Sequence, residues 1–247
     1  MPERYAEMGY WEIITRQMSI VTKSQQTRFK ESKIAVIGCG GLGGTVIEML
    51  SRMGVGELNI VDKDSFDMSN LNRQVMSTID SLGKQKSEVT KEKIRLINPY
   101  VKVNAFNEEL KEKNLGKIIG NCDIAIDALD NLVTRVLISR YAKEKEIPFI
   151  HGAIHGTIGQ LTVFNKDTVS YEELFSLPSS QKELNNSTKQ EILDLSQKIP
   201  PVIGPIANII GSLESFEAFK ILTNTGKVTL APKILNLDLL DLSSLSY

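Results

Sequence analysis

Apolar residues fall along the chain in two patterns, short unbroken runs and stripes at helical spacing. The first run, Ile34 to Ile37, reads as a buried strand, and Leu42, Val46, Ile47, Leu50 and Met53 then recur as one face of a helix. Between them stands Gly38-Cys39-Gly40-Gly41-Leu42-Gly43, which fits G-x-G-x-x-G. Strand, tight glycine turn and helix is the setting in which that motif holds phosphates. The glycines let the backbone come close, and the helix N-terminus offers unpaired N–H groups to anionic oxygens. A second run, Leu58 to Val61, ends at Asp62, near the spacing at which a carboxylate holds a ribose. To this point a dinucleotide cofactor has the first claim.

The alternation continues. A helix opens at Gly83-Lys84-Gln85-Lys86, buries Val89, Ile94 and Ile97, and closes at Asn98-Pro99. Val101 to Phe106 reads as a strand, Leu110 to Ile119 as a short helix and Cys122 to Ala128 as a strongly apolar central strand. Leu132 to Glu144 reads as a helix, followed by strands at Ile147 to Ile150 and Leu161 to Phe164. Ile206, Ile209, Ile210, Leu213, Phe216 and Phe219 mark a long helix with a wide apolar stripe, for core or a subunit interface. Val228 to Leu230 and Ile234 to Leu242 read as two final strands. The pattern predicts one α/β domain over residues 1–247, without repeat or internal boundary. Its sheet is mixed, parallel in the nucleotide half and extended by antiparallel strands from about residue 161. Residues 3–28, with Tyr5, Tyr10 and Trp11, read as one or two helices packed outside the nucleotide fold, an arm over about 1–30. Asn165 to Lys198 turns polar, most of all over 179–191, and lacks glycine. It reads as an exposed, poorly ordered crossing segment of about 165–200, ended by Pro200-Pro201.

Charge and cysteine usage narrow the classes. A net charge of -1 gives no bulk attraction to nucleic acid or membrane surfaces. The two cysteines, Cys39 and Cys122, supply neither a disulfide framework nor a four-cysteine zinc site, and suit a reducing compartment. The N-terminus has no apolar signal core and no run reaches the length of a membrane span. The expectation is a soluble cytoplasmic protein.

Candidate chemistry gathers after the strands. Residues 63–80 form a connection far longer than most βα loops, and it carries Asp64, Asn70, Asn72, Arg73 and Gln74 outside the carboxyl end of the strand that finishes at Asp62. An arginine there suits phosphate oxygens, because its planar fork holds two at once; a solvated turn is the plain alternative. Lys86 falls at a helix N-terminus, where a lysine opposes the macrodipole and a neighbouring phosphate would favour it. Asp130 follows a buried strand, a good place to coordinate Mg2+ beside a nucleotide, while Asp130 or Asn131 could instead cap the next helix. His151 and His155 are four apart but have no third ligand cluster, and the glycines around them favour loop packing over metal ligation. Arg16, by spacing alone, reads as a solvated helix charge.

Taken in order, Arg16-Gln17, GCGGLG at 38–43, VDKD at 61–64, SNLNRQ at 69–74, GKQK at 83–86, INP at 97–99, DALDN at 127–131, GQLTVF at 159–164 and GPIANIIGSLESFEAFKIL at 204–222 resemble the ThiF/MoeB/HesA family of ubiquitin-activating-enzyme-like adenylyltransferases. The resemblance runs from about Arg16 to the C-terminus. It implies a Rossmann-like ATP-binding fold and use of ATP and Mg2+ to adenylate the C-terminal glycine of a small ubiquitin-like sulfur-carrier protein ending Gly-Gly. By the same resemblance Gly38, Gly40, Gly41 and Gly43 form the nucleotide loop, Asp62 holds the ribose hydroxyls, and Asp64 belongs to the ATP site. Asn70, Arg73 and Lys86 meet the phosphates, Asp130 binds Mg2+, and Gln74 and Asn131 support them. Arg16 acts in trans from the second subunit of a homodimer. Two departures matter. The chain has no C-x-x-C pair, so no zinc is expected, and residues 165–200 contain no cysteine to form a thioester or persulfide. The expectation is adenylation alone, with sulfur supplied by a separate sulfurtransferase or not at all. The other readings are a peptide substrate, a catalytically silent docking module for a ubiquitin-like protein and, from another class, an NAD-dependent oxidoreductase.

Overall fold

The computed structural model describes residues 9–195 and 201–243. Its strands are β1 (Lys33–Ile37), β2 (Glu57–Val61), β3 (Lys102–Phe106), β4 (Ile124–Asp127), β5 (Phe149–His155), β6 (Ile158–Phe164) and β7 (Leu235–Asp238). The helices are α1 (Gly9–Ile13), α2 (Lys23–Glu31), α3 (Gly41–Met53), α4 (Lys86–Ile97), α5 (Glu112–Ile118), α6 (Leu132–Glu144), α7 (Tyr171–Leu174), α8 (Asn186–Asp194) and α9 (Gly204–Thr223). One seven-stranded sheet runs in the order β3-β2-β1-β4-β5-β6-β7. It is parallel from β3 through β5 and antiparallel at β6 and β7, the predicted mixed sheet. The chain steps outward from β1 to β3 on one side and resumes on the other at β4. The carboxyl ends of β1 and β4 therefore flank the point where strand order reverses, where open α/β sheets place ligands.

Four near-continuous apolar strands, β1, β2, β4 and β5, form the centre, because both faces are covered by helices. One core lies under α3, α4 and α9 and includes Ile34, Val36, Leu50, Ile60, Ile94 and Phe219; the other lies under α5, α6 and α8 and includes Ile37, Ile118, Val136, Phe149 and Ile192. The arm is anchored rather than loosely appended. Tyr10 and Ile14 are buried, and the Tyr10 hydroxyl donates to Gly54 O at 2.7 Å. Tyr5 lies outside the described residues. Among the described residues no helix is long and apolar enough to cross a membrane.

Three expectations are corrected. Residues 151–157 are not a packing loop: β5 continues to His155 and turns straight into β6, a hairpin in which Gly156 takes φ +62°. Val228–Leu230 forms no strand, only a single bridge from Leu230 to Val163. The described part of the crossing segment is not loosely exposed. It contains α7 and α8, buries Tyr171, Leu177 and Ile192, and is clamped by Arg140, which pairs with both Glu172 oxygens at 2.7 Å and donates to Ser179 O and Lys182 O. Overall polarity concealed a few well-spaced apolar anchors, and one bidentate pair satisfies carbonyls that no helix reaches. Lys198 and Pro200 lie outside the described residues.

Candidate active site

Every part of the site starts from a strand end. Gly38 N donates to Val61 O, so the chain leaving β1 is held against β2 while it turns. Gly38 takes φ +102°, and a Cβ there would meet Ala128 O at 2.5 Å, so only glycine fits. A Cβ at Gly43 would lie 1.8 Å from Gly38 O; this glycine lets α3 close onto the turn. Gly40 is different, with only the Gln74 amide within 4 Å of its virtual Cβ, because it faces a cavity.

That cavity holds about 520 Å³, in the range of nucleotide-sized sites. Its wall includes Gly38, Gly40, Gly41, Asp62, Asp64, Arg73, Gln74, Lys86, Asp130 and Asn131, together with Glu108, Glu109, Leu110, Thr134, Arg135, Ile154 and Val202. Asp62 is oriented by two backbone donors, Cys39 N to Oδ2 and Asp64 N to Oδ1, each 2.8 Å. Burial raises its carboxyl above the usual range, partly countered by those N–H groups and by Lys86. Lys86 begins α4, is buried, and has its Nζ 3.7 Å from Asp64. Arg73 is aimed by the loop itself, Nη1 donating to Ser69 O at 2.8 Å and to Asn72 Oδ1 at 2.9 Å. The Gln74 Oε1 is buried without a partner.

The pair after β4 divides its work. Asn131 caps α6, its Oδ1 accepting Thr134 N at 3.1 Å. Asp130 is exposed toward the cavity and makes no hydrogen bond or ion pair among the described residues. The alternatives left open by spacing are thus split between neighbours.

Asn70, Gly43 and Arg16 do not line the cavity. Asn70 is buried in the loop and accepts Asp67 N at 3.1 Å, shaping the turn that presents Arg73. Arg16 is exposed beside Gln17, which donates to Met53 O at the C-terminal end of α3. The glycine turn lies at the other end of that 13-residue helix, roughly 20 Å away at about 1.5 Å per residue.

Sequence reasoning missed what supports the site. Asp127, the last residue of β4, is fully buried; its Oδ2 lies 2.5 Å from Arg135 Nε and 2.7 Å from His151 Nδ1. Burial alone would raise its carboxyl, but the Arg135 guanidinium and the His151 N–H outweigh that and hold it below the usual range. The available signal was a lone aspartate in an apolar strand and an arginine one turn into the next helix. Nothing in the spacing joined either to His151. The cysteines are not poised for chemistry: burial pushes the Cys39 thiol well up and Cys122 up to about 12.

A glycine turn between β1 and α3, an aspartate just past β2 and converging Arg and Lys make up a site of nucleotide-phosphate type on a doubly covered α/β sheet. A family model described as the ThiF family matches residues 14–246, and the chain belongs to that family of ThiF/MoeB adenylyltransferases. It is 33% identical over 236 residues to the sulfur carrier protein adenylyltransferase of Thermus thermophilus, covering 92% of this chain and 83% of that protein. Against the molybdopterin-synthase adenylyltransferase of Haemophilus influenzae it is 31% identical over 238 residues, 94% and 93% of the two chains. The SAMP-activating enzyme E1 of Haloferax volcanii matches at 31% over 226 residues, 92% and 80%. Among solved structures, PaaA superposes with a TM-score of 0.77 at 25% identity over 94% of this chain and 80% of that one. Escherichia coli MccB with ATP superposes at 0.76 and 22%, over 98% and 71%, a likeness of fold.

Proposed function

We propose that the chain, acting as one unit over residues 1–247, adenylates the C-terminal glycine of a small ubiquitin-like sulfur-carrier protein. The observation that carries this is convergence: the glycine turn, Asp62, Arg73, Lys86 and Asp130, from five separate motifs, face one nucleotide-sized cavity. Asp62 takes the ribose hydroxyls, and Gly40 and Gly41 let the nucleotide approach the backbone. Arg73 and Lys86 offset the triphosphate charge, and Gln74, whose buried amide oxygen has no partner among the described residues, supports them from beside Gly40. The substrate carboxylate attacks the α-phosphorus, the bond to the bridging oxygen breaks, and pyrophosphate leaves with the acyl-adenylate formed. Both reactants are anions, so catalysis here is mainly positioning and charge neutralisation.

The donor set fits Mg2+. Asp130 is an uncommitted carboxylate on the cavity wall and Asp64, paired with Lys86, lines the same cavity, whereas no cluster of three or more acidic, His or Cys ligands occurs among the described residues. That is the pattern for an ion held by one or two carboxylates together with phosphate oxygens and water. When bound, the ion would neutralise charge on the departing pyrophosphate. Asn131 leaves Asp130 free by doing the capping itself.

Arg16 is too far from its own glycine turn to serve it, which supports a homodimer in which it reaches the other subunit's site. Ile203, Ile209 and Phe216 at and along α9 are exposed apolar positions and suit that interface. With both thiols buried and no cysteine in 165–200, sulfur reaches the activated glycine from a separate sulfurtransferase. The setting is a reducing cytoplasm. The test is ATP–pyrophosphate exchange with Mg2+, adding small Gly-Gly-ending ubiquitin-fold proteins singly. Exchange dependent on one of them is expected; tight ATP binding without exchange for any would sink the substrate assignment.

A further inference from the structure

Resting on that reading of Asp130, we propose that Asp127, Arg135 and His151 form a buried positioning unit that sets the direction of the Asp130 carboxylate. The geometry is closed around the residue before it. Asp127 Oδ1 accepts the Leu129 N–H at 3.0 Å, and Arg135 Nη2 donates to the Leu129 carbonyl oxygen. Both polar groups of Leu129 are therefore committed, and the peptide leading into Asp130 has little rotational freedom left. Asp127 Oδ2 also lies 2.5 Å from Arg135 Nε, an ion-pair contact without hydrogen-bond geometry, so charge attraction holds the N–H and C=O clamps together.

His151 fixes the orientation of that body. Its Nδ1 meets Asp127 Oδ2 at 2.7 Å, and its ring is stacked near Phe149 and edged by Tyr171 and Phe175, with centroids 5.0 and 5.4 Å away. An ionised Asp127 needs a proton on Nδ1, which leaves Nε2 as a bare lone pair, and Nε2 is indeed buried without a partner. A core histidine kept only for packing would be better replaced by an aromatic hydrocarbon, since an orphaned ring nitrogen costs desolvation. Its retained polar function is the bond to Asp127. Tyr171 and Phe175 come from the polar stretch after β6, so that stretch braces the site from below. The arrangement parallels the second shell of a metal site, where the groups behind a ligand set its direction and affinity.

Mn2+ in place of Mg2+ tests this by electron paramagnetic resonance, titrating free Mn2+ into protein saturated with ATP, beside ATP binding in EDTA and unliganded thermal denaturation. Arg135→Lys keeps the charge facing Asp127 but loses the fork to Leu129. We expect its Mn2+ midpoint to rise about tenfold or more, and by a larger factor than any change in metal-free ATP binding, since Arg135 also lines the cavity. His151→Phe keeps the aromatic box and loses Nδ1, with an expected rise of about threefold, below that range because the clamp on Leu129 itself remains. If Arg135→Lys does not fold, His151→Phe decides alone. A lowered melting temperature with a wild-type midpoint would make the unit merely structural and overturn the proposal. Asp130→Ala is the reference: a shifted midpoint there with unshifted Arg135 and His151 variants defeats the proposal alone. An unshifted Asp130→Ala defeats the metal reading itself and the proposal with it.

Discussion

At the residue scale, adjacent side chains with similar chemistry have unrelated duties. Asn131 spends its oxygen on the first turn of α6, whereas Asp130 faces the cavity uncommitted. Asp130→Ala should lower pyrophosphate exchange by on the order of 100-fold or more, through lost metal and charge stabilisation, with an unchanged melting curve. Asn131→Ala should show the reverse, a stability loss of about 1 kcal/mol by urea titration and nearly full exchange. Equal behaviour of the two would show that the division read here is wrong. The thiols give a second test at this scale. With burial pushing Cys122 up to about 12 and Cys39 well above its usual range, the native chain should resist iodoacetamide at pH 8. The urea-unfolded chain should take a label on each of its two cysteines by mass spectrometry; rapid native labelling would reopen thiol chemistry.

At the element scale, α9 meets the hairpin strand β5 through Glu214, whose fully buried carboxyl lies 2.6 Å from where a Gly152 Cβ would stand. Burial, reinforced by the negative charge of Asp127, raises this carboxyl well above its usual range. In the unfolded chain the group ionises above about pH 4.3, so from there upward the unfolded state binds fewer protons and stability falls with rising pH. Glu214→Gln removes that loss. The variant's stability advantage over the wild type should grow between about pH 5 and 8, by up to about 1.4 kcal/mol per pH unit. Denaturant midpoints at each pH measure it, and a difference independent of pH would mean that Glu214 ionises normally. The same element explains the glycines of its own N-terminal half: Cβ atoms at Gly204 and Gly211 would each lie 2.7 Å from a backbone oxygen, of Asn72 and Leu42. That closeness holds the Arg73 loop and α3 against α9.

At the scale of the molecule, one chain presents a nucleotide-sized cavity but an Arg16 at the far end of α3. Arg16→Ala and Asp130→Ala subunits should each form inactive homodimers. Isolated mixed heterodimers should recover about half the wild-type exchange, since two-fold symmetry leaves one site with both groups intact. No recovery in verified heterodimers would count against the trans arrangement. An oxidoreductase on the same glycine turn would leave Arg73, Lys86 and Asp130 idle, and family membership closes that alternative.

The run-and-stripe pattern by itself determined the order of β1 to β5, the glycine turn and the strand ends around which the cavity forms. Those features are local, set by strand and helix periodicity and by the few residues that a tight turn tolerates. Order and spacing of short motifs added the family and, through it, the expected role of each group. The tertiary structure alone decided which half of Asp130-Asn131 caps a helix, because hydrogen bonds rather than residue types make that choice. It decided that residues 151–157 pair as a hairpin and that the polar stretch after β6 is anchored, since both depend on partners distant in the chain. It alone joined Asp127, Arg135 and His151. Charged and polar residues carry no periodicity that announces burial, and only the meeting of β4, α6 and β5 brings these three within bonding distance.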